Sequence, residues 1–231
     1  MAILSIETAT EKCSVALHYC NGIFIAQKNA TTENAHSELL GSLIEELLYD
    51  THIPIQSLKA IAISQGPGSY TGLRIGTSLA KGMCFALSIP LIAVDTLQAL
   101  ALSIKEKIEG TPITNGILTP MIDARRMEIY TAQWNIHNKQ IQATNACIVD
   151  NETCSHFSEK YHYYIGGNGS DKCTELLYCS HIQHVANVVN QAKTVGDIAC
   201  QLYAENKFVN CAYFEPLYLK EFQTTHSKKL L

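Results

Sequence analysis

Gly66-Pro67-Gly68-Ser69-Tyr70-Thr71-Gly72-Leu73-Arg74-Ile75-Gly76 is the stretch on which the reading of this chain turns. The apolar run Ala60-Ile61-Ala62-Ile63 leads into it, and a helix-like segment, Ser78 to Leu87, leads out. Glycine permits φ > 0 and close approach of another backbone or a ligand. Pro67 fixes its own φ and biases Gly66 away from the helical region. Ser69 and Thr71 are suited to cap a helix start. The local pattern is therefore strand, tight turns, helix, with unpaired N–H groups at the helix start. Such a start can hold an anion. A phosphate-binding Walker loop is excluded, because no Lys-Ser/Thr pair follows the glycines. The G-x-G-x-x-G dinucleotide fingerprint fails at its third glycine, where Thr71 stands. A purely structural turn with tight helix packing is the other reading of the same residues.

Outward from this stretch the chain alternates strands and helices. Ile3 to Glu7, Ser14 to Tyr19 and Ile23 to Lys28 read as a three-stranded meander, with Asn21-Gly22 as a hairpin turn. Asn34 opens a helix in which Leu39, Leu40, Leu43, Ile44, Leu47 and Leu48 form one apolar stripe. After the glycine stretch and its helix come a strand, Leu91 to Val94, and a helix from Thr96 to about Lys107. Between Gly110 and Pro120 the composition turns to Gly, Pro, Thr and Asn, which places a boundary between an N-terminal domain, 1–109, and a C-terminal domain, 110–231. The pattern then restarts. Ile117 to Ile122, Met127 to Trp134 and Gln140 to Ile148 read as strands, and Tyr163-Tyr164-Ile165 enters Gly166-Gly167-Asn168-Gly169. A helix from Val189 to Ala204 and an extended segment from Tyr213 to Tyr218 follow. Each half opens on a strand ending in an acid, Glu7 and Asp123, which suggests an internal duplication.

With 231 residues, 47% of them apolar, the chain can bury a sizeable core. Its formal charge of −4 and pI near 6.1 are not those of an autonomous nucleic-acid binder. Lys220, Lys228 and Lys229 near the end could touch phosphate within a larger assembly, or form a solvated tail. Nine cysteines without a C-x-x-C pair read as free, mostly buried thiols in a reducing cytoplasm. Zinc pairs such as Cys154 with His156, or His181 with His184, lack the spacing of structural sites. No secretion signal and no membrane-spanning stretch is expected, and the reading is a soluble, cytoplasmic protein.

The acid-ended hairpins, the duplicated core and the second glycine turn resemble the actin/Hsp70/sugar-kinase ATPase superfamily. Within it, Ile6-Glu7-Thr8-Ala9-Thr10, Gly66 to Gly76, Ile122-Asp123-Ala124-Arg125-Arg126 and Glu215-Pro216-Leu217-Tyr218-Leu219 resemble the TsaB (YeaZ) family of tRNA threonylcarbamoyladenosine biosynthesis proteins. The resemblance runs over nearly the whole chain. It implies an α/β fold of two actin-like (ribonuclease H-like) lobes, each built on a mixed five-stranded sheet with flanking helices, the second lobe reduced. It also implies a role in threonylcarbamoylation of adenosine 37 in ANN-decoding tRNAs. There the paralogue TsaD transfers the group, the small ATPase TsaE joins, and TsaB binds TsaD through N-terminal helices. A homodimer is expected when TsaD is absent, and tRNA contact only within the complex.

The residues argue against catalysis by this chain. TsaD carries two metal-binding histidines four apart on its first long helix; here His36 matches the first and Leu40 stands at the second position. The superfamily's phosphate turn needs a glycine after the acid. Glu7 is followed instead by Thr8-Ala9-Thr10-Glu11, and Glu11 adds negative charge where a triphosphate would sit. Glu7, Thr8, Thr10, Asp123, Gly166, Gly167 and Gly169 are thus at most a vestigial nucleotide site. Arg125 and Arg126 are suited to pair with carboxylates or phosphate, or to form a surface or interdomain ion pair. No metal and no cofactor is expected. The kept function is an interface: His36, Leu39, Leu40, Leu43 and Leu47 on the first helix, with Gly72, Arg74, Ile75, Gly76, Leu79, Ala80 and Met83 on the second, form the expected partner-binding set. Gly72, Gly76, Ala80 and Cys84 would give a shallow groove for a partner helix. Glycine inside a helix costs about 1 kcal/mol relative to alanine, so Gly76 and Gly82 call for a compensating contact. The alternative is an ATP- or metal-dependent enzyme in its own right, a transferase or an M22-type peptidase.

Overall fold

The strands expected around the glycine stretch assemble into two separate sheets with the same plan. A computed structural model of the chain describes residues 1–30, 32, 36–110, 115–150 and 152–220. The first sheet contains β1 (Ala2–Glu7), β2 (Ser14–Tyr19), β3 (Phe24–Asn29), β4 (Leu58–Ser64) and β5 (Leu91–Val94), in the order β3-β2-β1-β4-β5. The second contains β6 (Gly116–Asp123), β7 (Glu128–Asn135), β8 (Gln140–Ile148), β9 (His162–Gly166) and β10 (Ile182–His184), in the order β10-β9-β6-β7-β8. In each, the meander is antiparallel and the two later strands add in parallel beside the first. β6 thus corresponds to β1, and β9 to β4. The duplicated two-lobed α/β fold is the one expected. β10 was not anticipated from the sequence.

Helices differ between the halves. α1 (His36–Thr51) lies on β2 and β3, and α2 (Tyr70–Leu87) lies on β4, β1 and β5. Among the described residues of the second half, their places are taken by short 3-10 turns at Thr153–His156 and Asp171–Cys173. This is the reduced lobe. α3 (Thr96–Lys107) packs on β6, β9 and β7, whereas α4 (Ala192–Ala204) packs on β1, β2 and β5. Each half therefore covers a face of the other half's sheet, although the two sheets divide near residue 110. Asn34, read as the start of α1, lies outside the described residues, as do Lys228 and Lys229.

Strand β4 shows why its apolar run is unbroken. Ile61 and Ile63 face α1 and α2 in one core cluster, while Ala60 and Ala62 face α4 in another. A strand covered on both sides has no polar face to show. The stripe of α1 is confirmed in part, with Leu40, Leu43, Ile44 and Leu47 buried. The extended segment at Tyr213 to Tyr218 forms no strand. It is a strap: Leu217 N donates to Gln65 O at 2.7 Å, Tyr218 packs on Tyr70 with ring centroids 4.8 Å apart, and Leu219 joins the second core.

Cysteine use departs from expectation. Cys154 and Cys179 are joined by a disulfide, so these two are not free thiols. Burial raises the thiol pKa of Cys13 and Cys200 to about 11. The bond also removes Cys154 from any zinc pairing; His156, its assigned companion, has a side chain outside the described residues. His181 Nε2 lies 3.1 Å from Phe157 O, and His184 Nε2 lies 3.0 Å from Ser170 Oγ and 3.2 Å from Asp171.

The small residues of α2 are turned inward, which corrects the expected groove. A Cβ on Gly72 would stand 2.1 Å from Thr8 O, and one on Gly68 2.3 Å from Ala9 O. One on Gly76 would meet Thr8 Oγ1 at 2.3 Å, and Ala80 and Cys84 are buried in the same core. Gly82 is the opposite case, exposed with nothing within 4 Å of its Cβ position. We therefore predict that Gly72→Ala destabilises the chain by about 3 kcal/mol or prevents folding. Gly82→Ala should raise stability by up to about 1 kcal/mol. Urea denaturation checks both, and equal stability of the two variants would refute the packing.

Candidate functional site

The carboxyl end of β1 and the start of α2 meet at the turn that the superfamily resemblance assigns to phosphate. Here the space is filled by the chain's own backbone. Ser69 caps α2 through its hydroxyl, which accepts from Gly72 N at 3.2 Å. Ser69 N donates to Ala9 O at 2.6 Å, and Thr8 O lies against Gly72. The helix start that could have bound an anion thus faces the carbonyl groups of the Thr8–Ala9 turn. Both readings of the glycine stretch had been open; the close-packing reading holds.

Glu7 is wholly buried under this turn. Its carboxylate accepts from Ala9 N at 2.6 Å and from the hydroxyl of Ser64 on β4. Burial pushes its pKa up to about 7, only partly offset by the hydrogen bonds from Ser64, Ala9 and Thr8. Thr8 is fully buried and Thr10 nearly so, and Thr8 Oγ1 has no hydrogen-bond partner among the described residues. These side chains do not line an open site, which corrects their assignment as nucleotide contacts.

The second glycine turn is closed in the same way. A Cβ on Gly167, whose φ is +110°, would lie 2.4 Å from Met121 O. One on Gly169 would lie 2.7 Å from Ile122 C, and one on Gly166 would press on Ile104 and Val188 at 3.1 Å. All three glycines are spent on packing against β6 and its neighbours, not on a ligand. Between the turns, Asn168 Nδ2 donates to Glu11 Oε2 at 2.8 Å, while Asn168 Oδ1 accepts from Asp123 N at 3.0 Å. Asp123 is exposed, but its carboxylate is paired with Lys172 and accepts from Arg125 N at 2.8 Å. Glu11, read as an obstacle to phosphate, is also a link between the lobes.

A second group of polar side chains was not found from sequence spacing. His18 on β2 is fully buried, with Nε2 3.1 Å from Asp197 of α4. A Cβ on Gly196 would stand 2.2 Å from the His18 ring and 3.0 Å from Ser5 Oγ. Serine, histidine and aspartate thus gather, but Ser5 and His18 have no solvent access and no substrate can reach them. Lys193 joins Asp197 at 3.0 Å to Glu106 of α3 at 2.5 Å. Burial alone would raise the pKa of Asp197, but hydrogen bonds from His18 and Lys193 outweigh it and hold the carboxylate below its usual range. The group fastens α4 to the first sheet.

The open surface lies elsewhere, between α1 and α2. A cleft of about 500 Å³ is lined almost entirely by apolar groups, among them Ile44, Leu48, Tyr49, Ile53, Leu79 and Met83. Glu45 and Gly41 complete one wall. Of the expected partner-binding set, Leu39, Arg74, Ile75, Leu79 and Met83 retain surface. His36, Leu40, Leu43, Leu47, Gly72, Gly76 and Ala80 are buried within the chain, which corrects their place on a docking face. Arg74 stacks over the Tyr70 ring at 4.3 Å, beside Tyr218 of the strap. Tyr49 and Gly41 were missed, although an interior glycine in α1 was the signal for the latter.

A family model described as TsaD, tRNA N6-adenosine threonylcarbamoyltransferase, matches residues 25–223. The tRNA threonylcarbamoyladenosine biosynthesis protein TsaB of Escherichia coli (strain K12) is 30% identical over 236 residues, covering 95% of each chain. The chain belongs to the TsaB family. The TsaB of Bacillus subtilis (strain 168) is 34% identical over 138 residues, 60% of this chain and 57% of that one. A solved structure of YeaZ from Pseudomonas aeruginosa shares the fold, with a TM-score of 0.78 at 24% identity over 94% of this chain and 99% of that one. Membership places the chain in tRNA threonylcarbamoyladenosine biosynthesis. Among the described residues, no helix is long and apolar enough to cross a membrane.

The buried Glu7 gives a pH test of the filled turn. An unfolded chain ionises this carboxyl near its ordinary value of 4.5, whereas the folded chain keeps the proton to about 7. Stability from this group is therefore full below 4.5, falls as pH rises to about 7, and is level above. The loss should be about 3 kcal/mol. Glu7→Gln, which cannot ionise, should gain stability relative to the parent by that amount between pH 4.5 and pH 8 in urea titrations. A difference that does not change with pH would refute the buried, protonated state.

Proposed function

We propose that this chain is a non-catalytic subunit for threonylcarbamoylation of adenosine 37 in ANN-decoding tRNAs. It binds and organises a TsaD-type transferase, with a TsaE-type ATPase as the third component, in the cytoplasm. The observation that carries this reading is a contrast within the first lobe. The phosphate turn is packed shut by Thr8, Ala9, Gly68 and Gly72, while an apolar cleft between α1 and α2 is left open. That pair of helices is the docking face of this reading, and 1–109 is the domain that carries it. Leu39, Arg74, Ile75, Leu79 and Met83 are the contacts retained from the sequence reading, joined by Leu48, Tyr49 and Ile53. In the absence of the transferase, the same face would pair two copies of the chain.

Gly41 gives the sharpest test. It lies within α1 on the cleft wall, is exposed, and has nothing within 4 Å of its Cβ position. The isolated chain therefore gains nothing from glycine there, which costs about 1 kcal/mol relative to alanine. Close approach of a partner accounts for it. Gly41→Trp should leave the chain folded, since space is open, yet abolish co-purification with the host's TsaD and lower modification in a reconstituted assay. Leu79→Glu should act in the same direction. Undiminished binding by folded Gly41→Trp would place the interface elsewhere. Stoichiometric metal, or ATP turnover that depends on Glu7, would favour the alternative of an enzyme in its own right.

A further inference from the structure

The tip of the β6–β7 hairpin carries a feature that the docking face does not use. Arg125 and Arg126 both have left-handed backbone conformations, with φ of +69° and +52°. Residues with side chains adopt this region at a cost, and glycine would be the relaxed choice. Two arginines in succession there are held by a clamp from other parts of the chain. Asp123 accepts from Arg125 N at 2.8 Å, and Asn168 accepts from Asp123 N at 3.0 Å. Lys172 Nζ donates to Arg126 O and to Glu128 O, each at 2.7 Å, and pairs with the Asp123 carboxylate. Lys220 Nζ donates to Ala124 O at 3.3 Å and pairs with the Glu128 carboxylate.

This clamp pairs the two carboxylates of the hairpin itself. Asp123 is held by Lys172, and Glu128 by Lys220. Arg125 and Arg126 are exposed, and neither side chain makes a hydrogen bond or ion pair among the described residues. The tip therefore presents two guanidiniums that have no ion-pair partner among the described residues, on a chain whose formal charge is −4. They are two of its three arginines. A guanidinium offers a planar fork that matches phosphate in a bidentate manner, which a lysine ammonium does not.

We propose that Arg125 and Arg126 form a contact for the phosphate backbone of RNA, one phosphate per guanidinium. The pathway to which the family belongs modifies tRNA, so RNA phosphates are the anions at hand. The contact reads charge and not sequence, because two guanidiniums on phosphates position a nucleic acid without reading bases. It lies on the second sheet, apart from the α1–α2 docking face, and it is measured on the chain alone, which departs from the expectation of RNA contact only within the complex.

The test is fluorescence anisotropy of the full chain with a labelled, unmodified ANN-decoding tRNA transcript, in KCl rising from about 50 to 200 mM. Each phosphate contact contributes about 0.9 to the slope of log affinity against log salt. The parent should therefore lose about tenfold more affinity across that range than Arg125→Gly/Arg126→Gly. That variant relaxes the left-handed backbone, so its melting temperature should not fall, which separates lost contact from lost fold. Arg125→Gln/Arg126→Gln serves as a second variant, and Arg126→Lys, which keeps the charge but not the fork, should keep the parent's salt slope and bind more weakly. The proposal is overturned if the parent shows no salt-dependent binding, or if the glycine variant binds as the parent does. It is equally overturned if an acidic peptide displaces the RNA at equal charge concentration, which would assign the tip to a protein. Displacement by ATP at concentrations well below those of other anions would assign it to a free nucleotide and overturn it too.

Discussion

The structure depends on one backbone contact, the first turn of α2 resting on the Thr8–Ala9 turn. Thr8 O and Ala9 O stand where Cβ atoms of Gly72 and Gly68 would be. Backbone cannot swing aside as a side chain can, so glycine at both positions is a requirement of distance, not of turn flexibility. The contact places Ser69 N on Ala9 O at 2.6 Å. It also seals Glu7 and Thr8 from solvent. An unpaired buried hydroxyl at Thr8 Oγ1 costs about 1–3 kcal/mol, and the packing around it must offset that. A carboxyl kept in its neutral form accommodates burial in the way physical chemistry allows most cheaply, by holding its proton.

The same logic repeats in the second half with different outer parts. Gly167 and Gly169 lie on the backbone of β6 as Gly68 and Gly72 lie on the turn after β1. Both halves thus close their glycine turns onto their own hairpin strand. What differs is the helical cover. The first sheet keeps α1 and α2, while the second has single 3-10 turns in their place. Only the first half can therefore present a helical apolar cleft. The two halves are joined by α3 and α4, by Asn168 on Glu11, and by the strap from Leu217 to Lys220. These links span the opening between the turns.

Most of the fold was legible because its signals are periodic. Strand runs of two-sided apolar character, the leucine stripe of α1 and the repeated acid-ended hairpin each follow from residue spacing alone. β10 escaped because three residues with two polar side chains, Ile182-Gln183-His184, carry no period. The site was legible in kind but not in direction. A row of small residues on α2 signals close contact, yet the sequence does not say with what. The contact proved to be internal, with Thr8 and Ile63, at Gly76. Conversely, Gly82 and Gly41 have open surroundings, and it is exposure that separates them from Gly76. The Cys154–Cys179 bond joins residues 25 apart in sequence and had no local pattern to betray it.

The surface that remains divides by chemistry. On the first sheet's helices it is apolar and bordered by Glu45, which suits burial against another protein. At the β6–β7 tip it is cationic, with strained backbone fixed from three directions by Asn168, Lys172 and Lys220. The residues that hold the tip come from the glycine turn, the 3-10 turn and the strap. Strain maintained by so many long-range bonds is consistent with a use outside the fold.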